Sequence, residues 1–324
     1  MRSKNNLKLT ALITLCILLF TGCSNSGQTK DTTPSNKDVL ISLILDKGGV
    51  NDESFNQSAW TGAIKANEEL GVEVKYLEST TDADYAQNIE TAIDMDSDLI
   101  IGVGFNLSEA IEKAAISYPE QQFAIVDGSF EKIPDNVTPI VFDEKEAGYL
   151  AGIAAAKSVD FDKFGFIGGF EIPAVVNYRD GFEQGIKAVN PNAILLTQYA
   201  NSFTDAAKGR VIAEQLISTE GVSCVVGAAG GVNAGLIEVC SEKGKYAVGV
   251  DMAQNYINPD IILTSAIKRV DVGVYETIKN YIDGSLQGGV NSTYNIVNDG
   301  VDYEKTDLLT QEAINYTDSI KADY

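Results

Sequence analysis

Six places along the chain carry residue types that can hold a small polar molecule: Asp46, Asp127, Phe203, the run Gly227-Ala228-Ala229-Gly230-Gly231, Asp251 and Lys268. Carboxylates accept hydrogen bonds from hydroxyls and amines, and an ammonium group donates them. An aromatic ring offers a stacking face, and glycines let backbone N–H groups come close to a ligand. Each of the six closes or follows an apolar run: VLISLIL before Asp46, FAIVD, AILLTQYA before Phe203, CVVG before the glycines, AVGVD and TSAIK. One such residue is an ordinary strand terminator. Six at equivalent ends describe an edge where a ligand can sit.

A further feature is NDESFNQSAW (Asn51 to Trp60). Ser54 and Gln57 have the spacing of a capping box, Asp52 and Glu53 suit the positive end of a helix dipole, and Gly71 supplies the stop. With Trp60, Ala63, Ile64 and Leu70 as the buried stripe, Phe55 projects roughly 120° from the stripe's centre. That leaves an aromatic at a helix mouth, in an acidic loop, with no place in the core.

Other chemistries are excluded. The chain has no histidine, which removes Ser-His-Asp and Cys-His catalysis, His-ligated zinc and histidine phosphorelay. Asp94, Asp96 and Asp98 alternate as in a calcium loop, but Leu99 and Phe105 stand where Gly and Glu are required. Gly102 to Leu107 lacks the third glycine of a dinucleotide fingerprint, and no P-loop occurs. No cofactor and no metal are expected. Cys224 and Cys240 are too few for a disulfide scaffold; buried free thiols are the default, with a bridge between them left open.

Strand-like and helix-like segments alternate from Val39 onward, and near-continuous apolar strands between amphipathic helices specify α/β architecture with parallel sheets covered on both faces. One series runs to Asp143 and a second to Asp251. The expected division is 1–22 a leader, 23–38 a tether, 39–142 plus 253–284 a first lobe, and 143–252 plus 285–324 a second. In such sheets ligands sit beyond the carboxyl ends of the strands.

The N-terminus reads as an export signal. Arg2, Lys4 and Lys8 precede an apolar run from Leu9 to Phe20, shorter than the ~20 residues of a spanning helix. Phe20-Thr21-Gly22-Cys23 resembles the lipobox of bacterial lipoproteins, which implies lipid on the Cys23 thiol. Phe20 departs from the usual Leu. Formal charge is −22, and loss of the three leader cations takes it to −25. Such a surface repels nucleic acid.

FNQSAW after a strand ending in Asp46, IGG followed by IPAVVNYRDGF (Ile172 to Phe182), and GVD followed by TSAIK resemble the basic membrane protein family. Within it the chain is similar to the purine nucleoside receptor lipoproteins, over about Val39 to Lys279. The resemblance implies a type I periplasmic-binding-protein fold: two Rossmann-like lobes joined by three crossovers. It implies a lipid-anchored, extracytoplasmic monomer, not an enzyme, that captures adenosine, guanosine or inosine for an ABC transporter permease. Phe55 and Phe203 would sandwich the purine. Asn56 and Asp127, with Asp46 nearby, would meet the base edge, and Gly230, Asp251 and Lys268 would hold the ribose. The alternatives are another neutral ligand such as a sugar, or a sensing role. A nucleoside-cleaving enzyme would lack its usual agents.

Overall fold

A computed structural model describes residue 36 and residues 38–324 of the chain. The expected leader, Cys23 and most of the tether lie outside these described residues. The first series consists of β1 (Leu40–Leu45), α1 (Phe55–Leu70), β2 (Glu73–Glu78), α2 (Asp84–Asp94), β3 (Leu99–Val103), α3 (Ser108–Ser117), β4 (Gln122–Val126) and β5 (Val137–Phe142). The second consists of α4 (Glu144–Ser158), β6 (Lys163–Gly168), α5 (Pro173–Val189), β7 (Ile194–Tyr199), α6 (Ala206–Ser218), β8 (Cys224–Ala228), α7 (Asn233–Lys243), β9 (Tyr246–Asp251) and β10 (Ile262–Lys268). The chain closes with α8 (Val270–Ile282), β11 (Ser292–Tyr294), β12 (Val301–Tyr303) and α9 (Gln311–Lys321).

Two six-stranded sheets result, in the orders β11-β5-β4-β3-β1-β2 and β12-β10-β9-β8-β6-β7. All pairings are parallel except that of β10 with β12. Burial follows position in the sheet. Every residue of the central strand β3 is buried, whereas the edge strands β2 and β7 contain no fully buried residue. The chain passes between the sheets after β5, after β10 and between β11 and β12, which are the three crossovers of a type I periplasmic-binding-protein fold.

Two segments lie elsewhere than the sequence reading put them. The TSAIK strand was expected in the first lobe, but β10 pairs in parallel with β9 and belongs to the second sheet. The connection from β9 to β10 holds only a short 3-10 turn at Asn255–Ile257. Without an intervening helix, the strand reads in sequence as the start of a new unit. Conversely, β11 falls in a tail expected wholly in the second lobe, yet it pairs with β5 in the first sheet. Three residues are too few to carry a periodic signal.

Helix α1 also departs from expectation. Beyond the polar Asn56 and Ser58 of its first turn, its buried face is Ala59, Gly62, Ala63 and Ala66, and Trp60, Ile64 and Leu70 are only half-buried. Small residues win because α8 lies directly against α1: a Cβ on Gly62 would come within 2.2 Å of the Asp271 carbonyl oxygen. Ser58 Oγ accepts a hydrogen bond from Asp271 N at 3.1 Å in the same contact. Trp60 instead meets Tyr76 of edge strand β2, edge to face at 4.9 Å. Phe55 therefore lies roughly 30° from the centre of the true buried face, one turn before it begins. It is aligned with the core face but stands beyond the end of the sheet. Among the described residues, no helix is long and apolar enough to cross a membrane.

Candidate functional site

The carboxyl ends of the two sheets face each other across a cleft walled by Asp46, Phe55 and Asp127 on one side and Phe203, Asp251 and Lys268 on the other. Each sheet contributes its topological switch point, where strand order reverses and the following loops diverge. In the first sheet this is the gap between β1 and β3, with Asp46 and the loop to α1 on one side and Gly104 on the other. Gly104 has φ +114°, and a Cβ there would stand 3.2 Å from Asp46 Oδ2 and 3.6 Å from the Phe55 ring. In the second sheet it is the gap between β6 and β8. The Phe203 ring lies so close over Gly169 that a Cβ at 169 would fall 2.1 Å from it, and Phe170 packs on the ring at 5.2 Å. Gly231 N donates to Phe203 O at 2.8 Å, tying that aromatic to the glycine-rich turn.

The entry to α1 is built differently from the capping box read in the sequence. Ser54 makes no side-chain cap bond. Asp52 caps the helix instead, its Oδ1 accepting from Ser54 N and Gln57 N, both at 3.0 Å, and its Oδ2 from Asn56 N at 2.8 Å. A carboxylate takes three or four N–H groups at once on its two oxygens, more than the two a hydroxyl oxygen can accept. Ser54 Oγ is thereby free to donate across the cleft to Asp251 Oδ2 at 2.6 Å. Asn56 Nδ2 donates to Asp46 Oδ1 at 2.8 Å and to Asp52 Oδ2 at 3.0 Å. Burial pushes the carboxyls of Asp46 and Asp52 up from the usual range, and these N–H bonds oppose the shift.

Opposite stands Lys268, 2% exposed, with Nζ at 2.6 Å from Asp127 Oδ2, 3.4 Å from Glu144 Oε1 and 4.0 Å from Asp251 Oδ1. Burial alone would lower its pKa, but the three carboxylates more than offset that and hold the ammonium charged. Asp127, directly after β4, and Asp251, the last residue of β9, both adopt positive φ, 57° and 66°. Aspartate tolerates that conformation and it turns each side chain off its strand. Tyr178 of α5 donates its hydroxyl to Asp251 Oδ1 at 3.2 Å, and Lys268 Nζ lies 4.9 Å from the Phe55 ring centre. Two buried acceptors on the cleft wall have no hydrogen-bond partner among the described residues: Asn56 Oδ1 and Asp127 Oδ1.

All eight residues singled out in the sequence, Asp46, Phe55, Asn56, Asp127, Phe203, Gly230, Asp251 and Lys268, line this one cleft. Sequence reasoning missed Tyr178 and Glu144 and gave Asp52 only a dipole role. Tyr178 sits in the quoted IPAVVNYRDGF motif, which was the available signal.

Residues 39–323 match the family model described as ABC transporter substrate-binding protein PnrA-like. The chain belongs to that family. This PnrA-like protein is 35% identical over 322 residues to the CD4+ T-cell-stimulating antigen of Listeria monocytogenes, covering 93% of this chain and 90% of the relative. It is 33% identical over 320 residues to the ABC transporter nucleoside-binding protein BmpA of Lactococcus lactis subsp. cremoris, covering 92% and 91%. A crystal structure of ABC transporter solute-binding proteins from Aeropyrum pernix superimposes with a TM-score of 0.77 at 30% identity, over 88% of this chain and 80% of that one. The PnrA-like protein is thus a substrate-binding protein of an ABC transporter. Its cysteines 224 and 240 are buried free thiols.

Proposed function

We propose that this PnrA-like protein captures purine nucleosides for an ABC importer, without chemically altering them. The observation that carries the reading is the pair of orphaned buried acceptors, Asn56 Oδ1 and Asp127 Oδ1, in a cleft lined by Phe55 from one lobe and Phe203 from the other. An unpaired buried acceptor costs about 1–3 kcal/mol, so it favours a ligand that brings a donor. Phe55 and Phe203 stack the base, which is worth ~1–3 kcal/mol per base. Asn56 and Asp127, with Asp46 behind them, meet its edge. Asp251 accepts from vicinal ribose hydroxyls, with Lys268 and the Gly230 turn completing the sugar end. The Lactococcus relative, named a nucleoside-binding protein, supports the same ligand class.

Charge sets the limit of that class. Asp46, Asp52, Asp127 and Asp251 line the cleft against the single cation Lys268 among the described lining residues. A phosphate placed there meets like charge costing roughly 4 kcal/mol at 4 Å with an effective dielectric near 20. Calorimetry should give micromolar or tighter binding of adenosine, guanosine or inosine and far weaker binding of AMP and GMP. Phe55→Ala should weaken inosine by about 1–3 kcal/mol. Equal affinity for AMP and adenosine would overturn the nucleoside reading, and an unweakened Phe55→Ala would remove the stack.

The leader and Thr21-Gly22-Cys23 support a lipid anchor at Cys23, holding the protein on the extracytoplasmic face of a membrane. Cys23→Ala should move the protein from the detergent phase to the soluble fraction. Unchanged partitioning would count against the anchor.

A further inference from the structure

Asp52 does more in this geometry than cap a helix. Its carboxylate receives four N–H groups: Ser54 N and Gln57 N on Oδ1, and Asn56 N and Asn56 Nδ2 on Oδ2. The other hydrogen of Asn56 Nδ2 goes to Asp46 Oδ1, which also takes Gly48 N at 2.9 Å. Both neighbours of the Asn56 amide group are therefore acceptors already surrounded by donors. The two ends of an amide differ only in what they bond to, and the network decides which way it points. Turning Asn56 over would lose two hydrogen bonds and set its oxygen against two carboxylates. Gly48 closes the arrangement, since even a Cβ there would stand 2.7 Å from Asn56 Nδ2. Asn56 is 1% exposed, so no solvent-facing alternative relieves it.

On the far side of the same wall the pattern repeats. Lys268 holds Asp127 by Oδ2, which leaves Oδ1 as the orphan. We propose that Asp52 is a positioning residue: with Asp46 it locks Asn56 carbonyl-first toward the ligand, so that the buried wall meeting the base presents acceptors alone and selects bases that carry N–H donors. This rests on the nucleoside reading and narrows it. Inosine offers N1–H, adenosine an exocyclic amine, and guanosine both kinds of donor. Purine riboside has the same ring and sugar but no N–H on its base. Bound in the cleft, it would leave both acceptors unpaired, and a site built to bond an N–H rejects an analogue that lacks it.

The test is calorimetry of the full chain with inosine and purine riboside, on the native protein and on Asp52→Asn. Native protein should prefer inosine by roughly 30-fold or more. In Asp52→Asn the new amide can donate to a turned Asn56, so the preference should fall about tenfold or more, chiefly through weaker inosine binding. If Asp52 were a cap only, both ligands would weaken alike and their ratio would stand, which overturns the proposal. Equal binding of inosine and purine riboside by native protein also overturns it, whatever the fate of the variant, while leaving the nucleoside reading intact. Binding of neither ligand overturns the proposal, and if adenosine and guanosine also fail to bind, the nucleoside reading falls with it.

Discussion

Lys268 is surrounded by more negative charge than it can neutralise. Asp127, Glu144 and Asp251 all reach its ammonium, and Glu144, whose side chain is 4% exposed, is the most enclosed of the three. Burial pushes the Glu144 carboxyl up to about 7, against the opposing pull of Lys268. Its folded pKa thus exceeds its unfolded value of 4.5, so the folded state binds the proton more tightly. The stability this group contributes is complete below about pH 4.5 and lost as pH rises through about 7, at most about 3 kcal/mol. Asp127, raised chiefly by burial, acts in the same direction. Urea melts should therefore show lower stability at pH 8 than at pH 5.5, and Glu144→Gln should shrink that difference. An unchanged difference in the variant would assign the decline to other groups. At this scale the strand-end residues were legible because parallel strands all deliver their carboxyl ends to one edge. Glu144 and Asp52 were not. An acid at or just before a helix start reads in sequence as a partner of the dipole; the tertiary contact to Lys268 reveals more for Glu144, and the folded turn that brings Asn56 against it does so for Asp52.

The helices that position these groups approach one another more closely than a hydrophobic stripe suggests. Sequence periodicity favoured Trp60, Ile64 and Leu70 on α1, because large apolar residues dominate any such count. The face buried against α8 instead consists of Ser58, alanines and a glycine, chosen for backbone proximity. The same error turned Phe55 away from the core, when it is collinear with the true face and reaches the cleft by standing beyond it. Gly62 gives a test whose sign decides. Helix propensity alone predicts that Gly62→Ala stabilises by about 1 kcal/mol. The contact with the Asp271 carbonyl predicts destabilisation of about 1–3 kcal/mol, because backbone on both sides must move. A higher urea midpoint for the variant would mean that α1 and α8 are further apart than described. The parallel pairing of strands β1 to β10 within their sheets was readable. The lobe of β10 was not, because sheet membership depends on a partner strand that local pattern does not name.

Among the described residues, three side-chain bonds cross the cleft between the lobes. Lys268 of the second sheet meets Asp127 of the first, Ser54 Oγ reaches Asp251, and Gln254 Nε2 donates to the Glu53 carbonyl at 2.8 Å. The protein is therefore closed in this structure, and closure is supported by the protein's own groups as well as by whatever it binds. A ligand shifts an open–closed equilibrium only through contacts that differ between the two forms. Some of that differential interaction is already supplied here by bonds to buried carboxylates. Of the three, the Ser54 bond goes to a carboxylate and can be removed without replacing a residue assigned to the ligand. A hydrogen bond to a charged group contributes about 1.5–3 kcal/mol, so Ser54→Ala should shift the ligand-free balance toward the open form by about tenfold or more. Small-angle scattering should then show a larger radius of gyration for Ser54→Ala than for native protein without ligand. Saturating inosine should bring the two together, since on the proposed function a bound nucleoside bridges the lobes in both. Inosine should also bind the variant more weakly, because apparent affinity falls with the fraction of molecules competent to close. Superimposable ligand-free curves would show that the Ser54–Asp251 bond does not set the balance, and closure would then rest on Lys268 and its carboxylates.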